Sequence, residues 1–463
     1  MNSLVRRPPP PLAPDPFFAF PRVARARLAN GLGVWSIERR RLPLVTVTLV
    51  VPAGSSIDPA RAPGLASLTA DMLDEGSSGL SAIGIQEAFG RLGTSLEIDV
   101  GADAVLVSLA VLPEHLRAAC DLLFDCVGRP TLANADFERI RTLRLNRLRP
   151  LRQSPGALAD HAFAQSVFGT HPYGHPPYGV SGALERMTID DVVRLHAAAW
   201  RPDRATLVLA GAIGAGEAAG VADAASGRWA AARPPAVDGA AGPEAGAAPE
   251  PARPAAPRIV LVDRPGAAQT ELRVGHASVA RRTPDYHALV LLNAVLGGQF
   301  VSRINLNLRE RRAYTYGAYT SFDFRRQAGA FALQTSVQTD ATADAVAESI
   351  AEIRAIGSDR PPTADEMAFC RASVTRGYAR HFESTSQIAR ALTVLAVHGL
   401  PDDTFDRFVP AIRSLGTGDL AAAAAAHLHP AALTVVAVGD RARIEDGLAS
   451  LGLGAPEVIN VEV

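Results

Sequence analysis

A chain of 463 residues exceeds the usual span of one domain, and its 48% apolar content is enough to bury two cores in domains of roughly 200 residues each. A formal net charge of −1 excludes a general basic field for nucleic acid, and the apolar fraction excludes wholesale disorder. All 46 basic residues are arginine, which excludes a phosphate-loop lysine and a Schiff-base lysine.

Taken in chain order, residues 1–21 read as a proline-rich arm, expected to be mobile. Its arginines are followed by prolines, not by the apolar core of about 7–15 residues that a signal peptide needs. Without a run of about 18 apolar residues free of charge and proline, the sequence predicts no membrane span and a cytoplasmic setting. A first domain, 22–229, opens on strand-like apolar runs at 44–54 and 101–112, with helical stretches at 113–127, 134–149 and 157–168. Residues 230–257, rich in Ala, Pro and Gly, read as a semi-rigid linker. A second domain, 258–463, repeats the plan, with strands in RIVLVDRP and AFALQTSV and helices at 284–296 and 341–356. Strands followed by long helices indicate an α+β fold, each sheet carrying helices on one face.

The halves are related by an internal match. Residues 187–211 align without a gap onto 415–439, an offset of 228 residues that pairs Asp191 with Asp419, Pro202 with Pro430 and Gly211 with Gly439. Such self-similarity predicts a tandem duplication of two homologous α/β-layer domains. Cys120, Cys126 and Cys370 are too few and too scattered for a disulfide framework or a zinc cluster, and read as buried small hydrophobes.

The stretch GLASLTADMLDEG, residues 64–76, is built as a helix. Leu65, Leu68, Met72 and Leu73 mark its apolar face, while Ser67, Ala70 and Asp71 share another stripe at i, i+3 and i+4. A catalytic zinc needs three protein ligands and a water, and of these three residues only Asp71 could ligate. Elsewhere, His171 and His175 stand four apart, but Pro172 and Gly174 preclude the regular helix that would join them on one metal. GAIGAGEAAG, 211–220, follows a strand but spaces its glycines wrongly for a dinucleotide loop. Arg141, Arg144 and Arg147 can form a stripe on the helix at 134–149.

The segment VPAGSSIDPARAPGLASLTADML resembles the part of the pitrilysin/insulinase superfamily of zinc peptidases, mitochondrial processing peptidases included, that carries the inverted zinc motif H-x-x-E-H. FGTHPYGHPPYGV (168–180), LGGQFVSRINLNLRERRAYTYG (296–317) and the terminal TVVAVGD extend the resemblance along nearly the whole chain. It implies His at 67, Glu at 70 and His at 71, with a further Glu at 147. This chain has Ser67, Ala70, Asp71 and Arg147 instead, so neither metal nor general base is expected on it. The resemblance also implies an intact second constellation, Arg309 and, seven residues on, Tyr316. In the family the Arg holds substrate backbone and the Tyr hydroxyl donates to the developing oxyanion. The resemblance thus implies a clamshell-type arrangement of the two domains and a catalytically silent subunit of a heterodimeric zinc metallopeptidase. A homologous H-x-x-E-H partner would carry the zinc, and the substrate would be an extended peptide. No cofactor on this chain and no nucleic-acid or membrane partner is expected. The alternative is a non-proteolytic binding or assembly protein that kept the fold, as respiratory-complex core subunits of this superfamily do.

Overall fold

The computed structural model describes residues 18–229, 251 and 254–462. The expected arm up to residue 17, and the expected linker at 230–250 and 252–253, lie outside the described residues. Two six-stranded sheets dominate. Across the N-terminal sheet the strands are ordered Ala24–Arg27, Gly33–Glu38, Thr206–Gly211, Val45–Val51, Val105–Val111, Glu97–Val100. Across the C-terminal sheet they are ordered Glu457–Val458, Arg258–Asp263, Thr434–Gly439, Gln269–Ser278, Gly329–Gln338, Ala318–Asp323. Five positions correspond one to one, including the single parallel pairing of Gly33–Glu38 with Thr206–Gly211 and its counterpart, Arg258–Asp263 with Thr434–Gly439. The sixth differs: Ala24–Arg27 adds antiparallel, whereas Glu457–Val458 adds parallel.

The 228-residue offset holds at the level of individual elements. Helix Ile189–Ala199 matches Thr417–His427, the turn Pro202–Arg204 matches Pro430–Ala432, and strand Thr206–Gly211 matches Thr434–Gly439. The paired aspartates explain the common start. The Thr188 N–H donates to Asp191 Oδ2 at 3.0 Å and the Gly416 N–H to Asp419 Oδ2 at 2.7 Å, so each carboxylate satisfies a donor at its helix start. Each helix then closes shortly before a proline that cannot continue it.

Helices cover one face of each sheet, as expected. In the N-terminal half Leu116–Gly128 and Ala215–Ser226 close the core around Val47, Leu49, Val107 and Leu207. In the C-terminal half Tyr286–Asn293 and Thr342–Ile356 close it around Leu272, Val274, Leu333 and Val435. The other face of each sheet is covered too, by a helix from the opposite half. Pro155–Phe168 lays Leu158, Ala159, Ala162 and Phe163 on Val260, Val262, Val436 and Val438. Thr385–His398 lays Ile388, Ala391, Leu392 and Leu395 on Ile37, Val50, Val208 and Ala210. Burial on both faces is why Val45–Val51 and Thr434–Gly439 are buried at every residue and read as unbroken apolar runs rather than alternating ones. The stretch Tyr286–Arg311 is long and apolar enough by length and composition to cross a membrane, yet 56% of its most apolar window is buried within the protein.

The crossing of Pro155–Phe168 over the C-terminal sheet requires a glycine. A Cβ on Gly275 would lie 1.9 Å from the Phe331 carbonyl oxygen and 2.9 Å from Cζ of Phe163. Gly275→Ala is therefore expected to cost about 2 kcal/mol or more. Gly220→Ala, where a Cβ meets nothing within 4 Å in the helix Ala215–Ser226, should be neutral or stabilise by up to about 1 kcal/mol. Urea unfolding of both variants beside the parent chain checks the contrast.

Candidate functional site

The helix Leu65–Asp71 is started by a carboxylate. Asp58 is almost wholly buried and accepts the Gly64 N–H at 2.6 Å and the Ala66 N–H at 2.7 Å. Burial pushes its pKa up to about 7 against those two amides and the charge of Arg144. Gly64 enters at φ +97°, where only a glycine is unstrained. Leu65, Ala66, Leu68 and Met72 then face the core shared by both halves, while Ala70 and Leu73 face the N-terminal core. The stripe expected to hold Ser67, Ala70 and Asp71 is thus split. Residues 70 and 71 differ by 100° around a helix, and here that angle turns the Ala70 methyl inward.

Ser67 and Asp71 are met by Arg144. Its Nε donates to Asp71 Oδ2 at 3.0 Å, and Nη2 donates to the same oxygen and to the Ser67 carbonyl, the latter at 3.2 Å. The Ser67 hydroxyl is itself spent, donating to the Pro177 carbonyl at 2.6 Å. Arg147, the expected fourth position, is exposed one turn further along the helix Asn134–Leu151. A catalytic zinc does not fit this set: a methyl group, a hydroxyl used as a donor and a carboxylate already neutralised by a guanidinium leave too few ligands. No group of three or more His, Cys, Asp or Glu is placed to hold a metal among the described residues.

Arg309 and Tyr316 flank a tight loop at the end of the wide helical turn Leu306–Arg311. The loop is closed by the Tyr314 N–H donating to the Leu308 carbonyl at 2.9 Å, with Ala313 in the left-handed region at φ +54°. The Arg309 guanidinium lies 4.2 Å from the Phe300 ring centroid, and its Nη1 is 2.9 Å from Glu310 Oε1. Tyr316 is 93% exposed. Among the described residues neither side chain bonds to Ser67, Asp71 or Arg144, so the pair stands apart from the helix Leu65–Asp71. Asn305, which the sequence analysis passed over, fixes the base of this surface: its amide donates to the Phe300 carbonyl at 2.6 Å and its Oδ1 accepts the Ala318 N–H at 3.1 Å.

Another group lines a cavity of about 500 Å³ where the halves meet, among them His175 and four residues that the sequence left unassigned, Asp103, His161, Arg325 and His398. Tyr173 donates to Asp103, which accepts the Arg326 N–H at 2.9 Å, and Gln327 donates its N–H to the Tyr173 oxygen at 3.3 Å. This polar clamp ties residues 103 and 173 to the turn before Gly329–Gln338. His171 and His175 point to different partners, as their irregular backbone required. His171 Nδ1 accepts the Tyr173 N–H at 3.1 Å, whereas His175 Nδ1 is 4.0 Å from Asp58.

Comparisons with known proteins agree with this architecture. Residues 34–176 match the family model for insulinase, peptidase family M16, and residues 186–374 match the model for the peptidase M16 inactive domain. The chain belongs to the M16 peptidase family. A crystal structure of a peptidase M16 inactive domain from Pseudomonas fluorescens is 26% identical, with a TM-score of 0.82 over 90% of this chain and 98% of that one. A Helicobacter pylori protein named as a non-peptidase homologue is 22% identical over 174 residues, which are 38% of this chain and 40% of that relative. An uncharacterized zinc protease of Mycobacterium tuberculosis is 26% identical over 311 residues, 67% of this chain and 69% of its own length.

Burial gives the cavity histidines a measurable signature. His161 is held down to about 4, mainly by burial and further by His175, and burial also lowers His175 and His398. With a folded pKa near 4 and an unfolded one near 6.5, the unfolded chain takes the proton first. The stabilisation from neutral His161 is therefore complete above pH 6.5 and is lost as pH falls toward 4. Asp58 titrates in the opposite sense over much of the same range, so the informative quantity is a difference between variants. His161→Gln should show a weaker loss of stability between pH 7 and 5 than the parent chain, measured by chemical denaturation at each pH.

Proposed function

We propose that this chain is a catalytically silent M16 subunit that lends Arg309 and Tyr316 to a zinc site on a homologous H-x-x-E-H partner. The observation that carries the reading is the ion pair of Arg144 with Asp71 on the helix Leu65–Asp71. It neutralises the one side chain of the degenerate motif with ligand chemistry, and no carboxylate or imidazole occupies positions 67 or 70 to act as base. The relatives named for an inactive domain and for a non-peptidase support the loss of metal chemistry. The exposed Tyr316, with Arg309 stacked on the half-exposed Phe300, supports a role outside this chain's own fold. The substrate in this reading is an extended peptide whose backbone carbonyls meet Arg309 and whose developing oxyanion meets the Tyr316 hydroxyl.

Purified and chelator-washed, the chain should retain no stoichiometric zinc and cleave no peptide; a tightly held zinc with peptidase activity would overturn the reading. In the reconstituted complex Tyr316→Phe should lower kcat on the order of a hundredfold or more. Arg309→Ala should weaken peptide binding as well. Zinc content and assembly should be unchanged in both. Near-parental kinetics in both variants would instead leave this chain a scaffold.

A further inference from the structure

A second cavity, of about 850 Å³, opens beside the crossing helix Thr385–His398 and shares no residue with the helix Leu65–Asp71 or the Arg309–Tyr316 loop. Its apolar wall is aromatic. Tyr378 stacks on Phe408 at 4.4 Å between centroids, Phe382 meets Phe405 at 5.2 Å, and Tyr286 adds a fifth ring. The polar lining is of one sign. Arg281, Arg380 and Arg390 border the cavity with His287 and His381, and neither an Asp nor a Glu lines it.

None of these three arginines pairs with a carboxylate among the described residues. Arg281 is half-buried and lies over the Tyr286 ring, its Cζ 3.4 Å from the centroid, and burial lowers its pKa. The His287 Nε2 is buried without a partner. A partly desolvated guanidinium without a counter-ion is costly to hold. An anion placed against it would recover that cost as charge-assisted hydrogen bonds. The volume lies within the range of small-molecule sites, and an apolar body with one convergent charged group is their usual chemistry.

We propose that this cavity binds an amphipathic organic carboxylate of the fatty-acid type, its head group on Arg281 and its chain among the rings of Tyr378, Phe382, Phe405 and Phe408. The site is independent of any peptidase role: its lining residues all come from the C-terminal half, and Phe18 and Phe20 of the N-terminal half back the rings of Tyr378, Phe382 and Phe405.

The test is calorimetric titration of the full chain with decanoate, and with decylamine as a probe of the same body and opposite charge, both below their micellar concentrations. Saturable one-to-one binding of decanoate, at least roughly tenfold tighter than decylamine, is expected. Arg281→Gln should weaken decanoate by roughly tenfold or more, and Val394→Trp, which fills the cavity from the crossing helix, should abolish binding. Absence of saturable decanoate binding, equal affinity for the two probes, or undiminished affinity in Val394→Trp would each overturn the proposal. The comparison of the two probes on the parent chain decides the matter even where a variant fails to fold.

Discussion

The structure depends on reciprocal burial. Each sheet has two apolar faces and only enough helices in its own half to cover one. The second face is covered from outside, by Pro155–Phe168 over the C-terminal sheet and by Thr385–His398 over the N-terminal one. With about 25 cal/mol gained per Å² of apolar surface removed from water, the crossing helices stabilise both sheets. The crossing accordingly fixes the geometry between the halves. It also places the polar clamp of Asp103 and Tyr173 against Arg326 and Gln327, since that contact forms beside the same seam.

The electrostatics of the helix Leu65–Asp71 are those of an ion pair and not of a metal site. A metal site concentrates positive charge on an ion and surrounds it with neutral or anionic ligands. Here the positive charge is supplied covalently, by Arg144, and a single carboxylate suffices to balance it. Such a pair at the surface of the helix keeps Asp71 ordered without a bound ion. The family accounts for the fold, and the residues at 67, 70, 71 and 144 leave this helix without the ligand set that a catalytic zinc needs.

Much of the fold was legible in the sequence because periodicity and internal repetition report it directly. The strands Val45–Val51, Val105–Val111 and Gly329–Gln338 stand out as apolar runs, and the offset of 228 residues locates equivalent elements to the residue. Other elements were hidden. The strand Gln269–Ser278 carries Glu271, Arg273 and His276 among its apolar residues, which masks the run. The crossing helices could not be told from ordinary amphipathic ones, because the pattern shows that a face is apolar but not which sheet it meets. In the candidate site the identities at 67, 70 and 71 were readable one by one. The partner of Asp71 was not: the arginines at 141, 144 and 147 are chemically alike, and which of them reaches the helix is decided by its packing angle.

Reciprocal coverage has a consequence for how the chain is made. The last central strand of the N-terminal sheet, Thr206–Gly211, leaves the ribosome roughly 190 residues before the end of Thr385–His398, the helix that covers it. At a synthesis rate of ~5–20 residues per second, the face containing Val50 and Val208 stays bare for on the order of 10–40 s. During that interval the nascent chain is a sticky surface waiting for a segment not yet translated. Exposed apolar surface of this kind is what makes partly folded chains prone to aggregate.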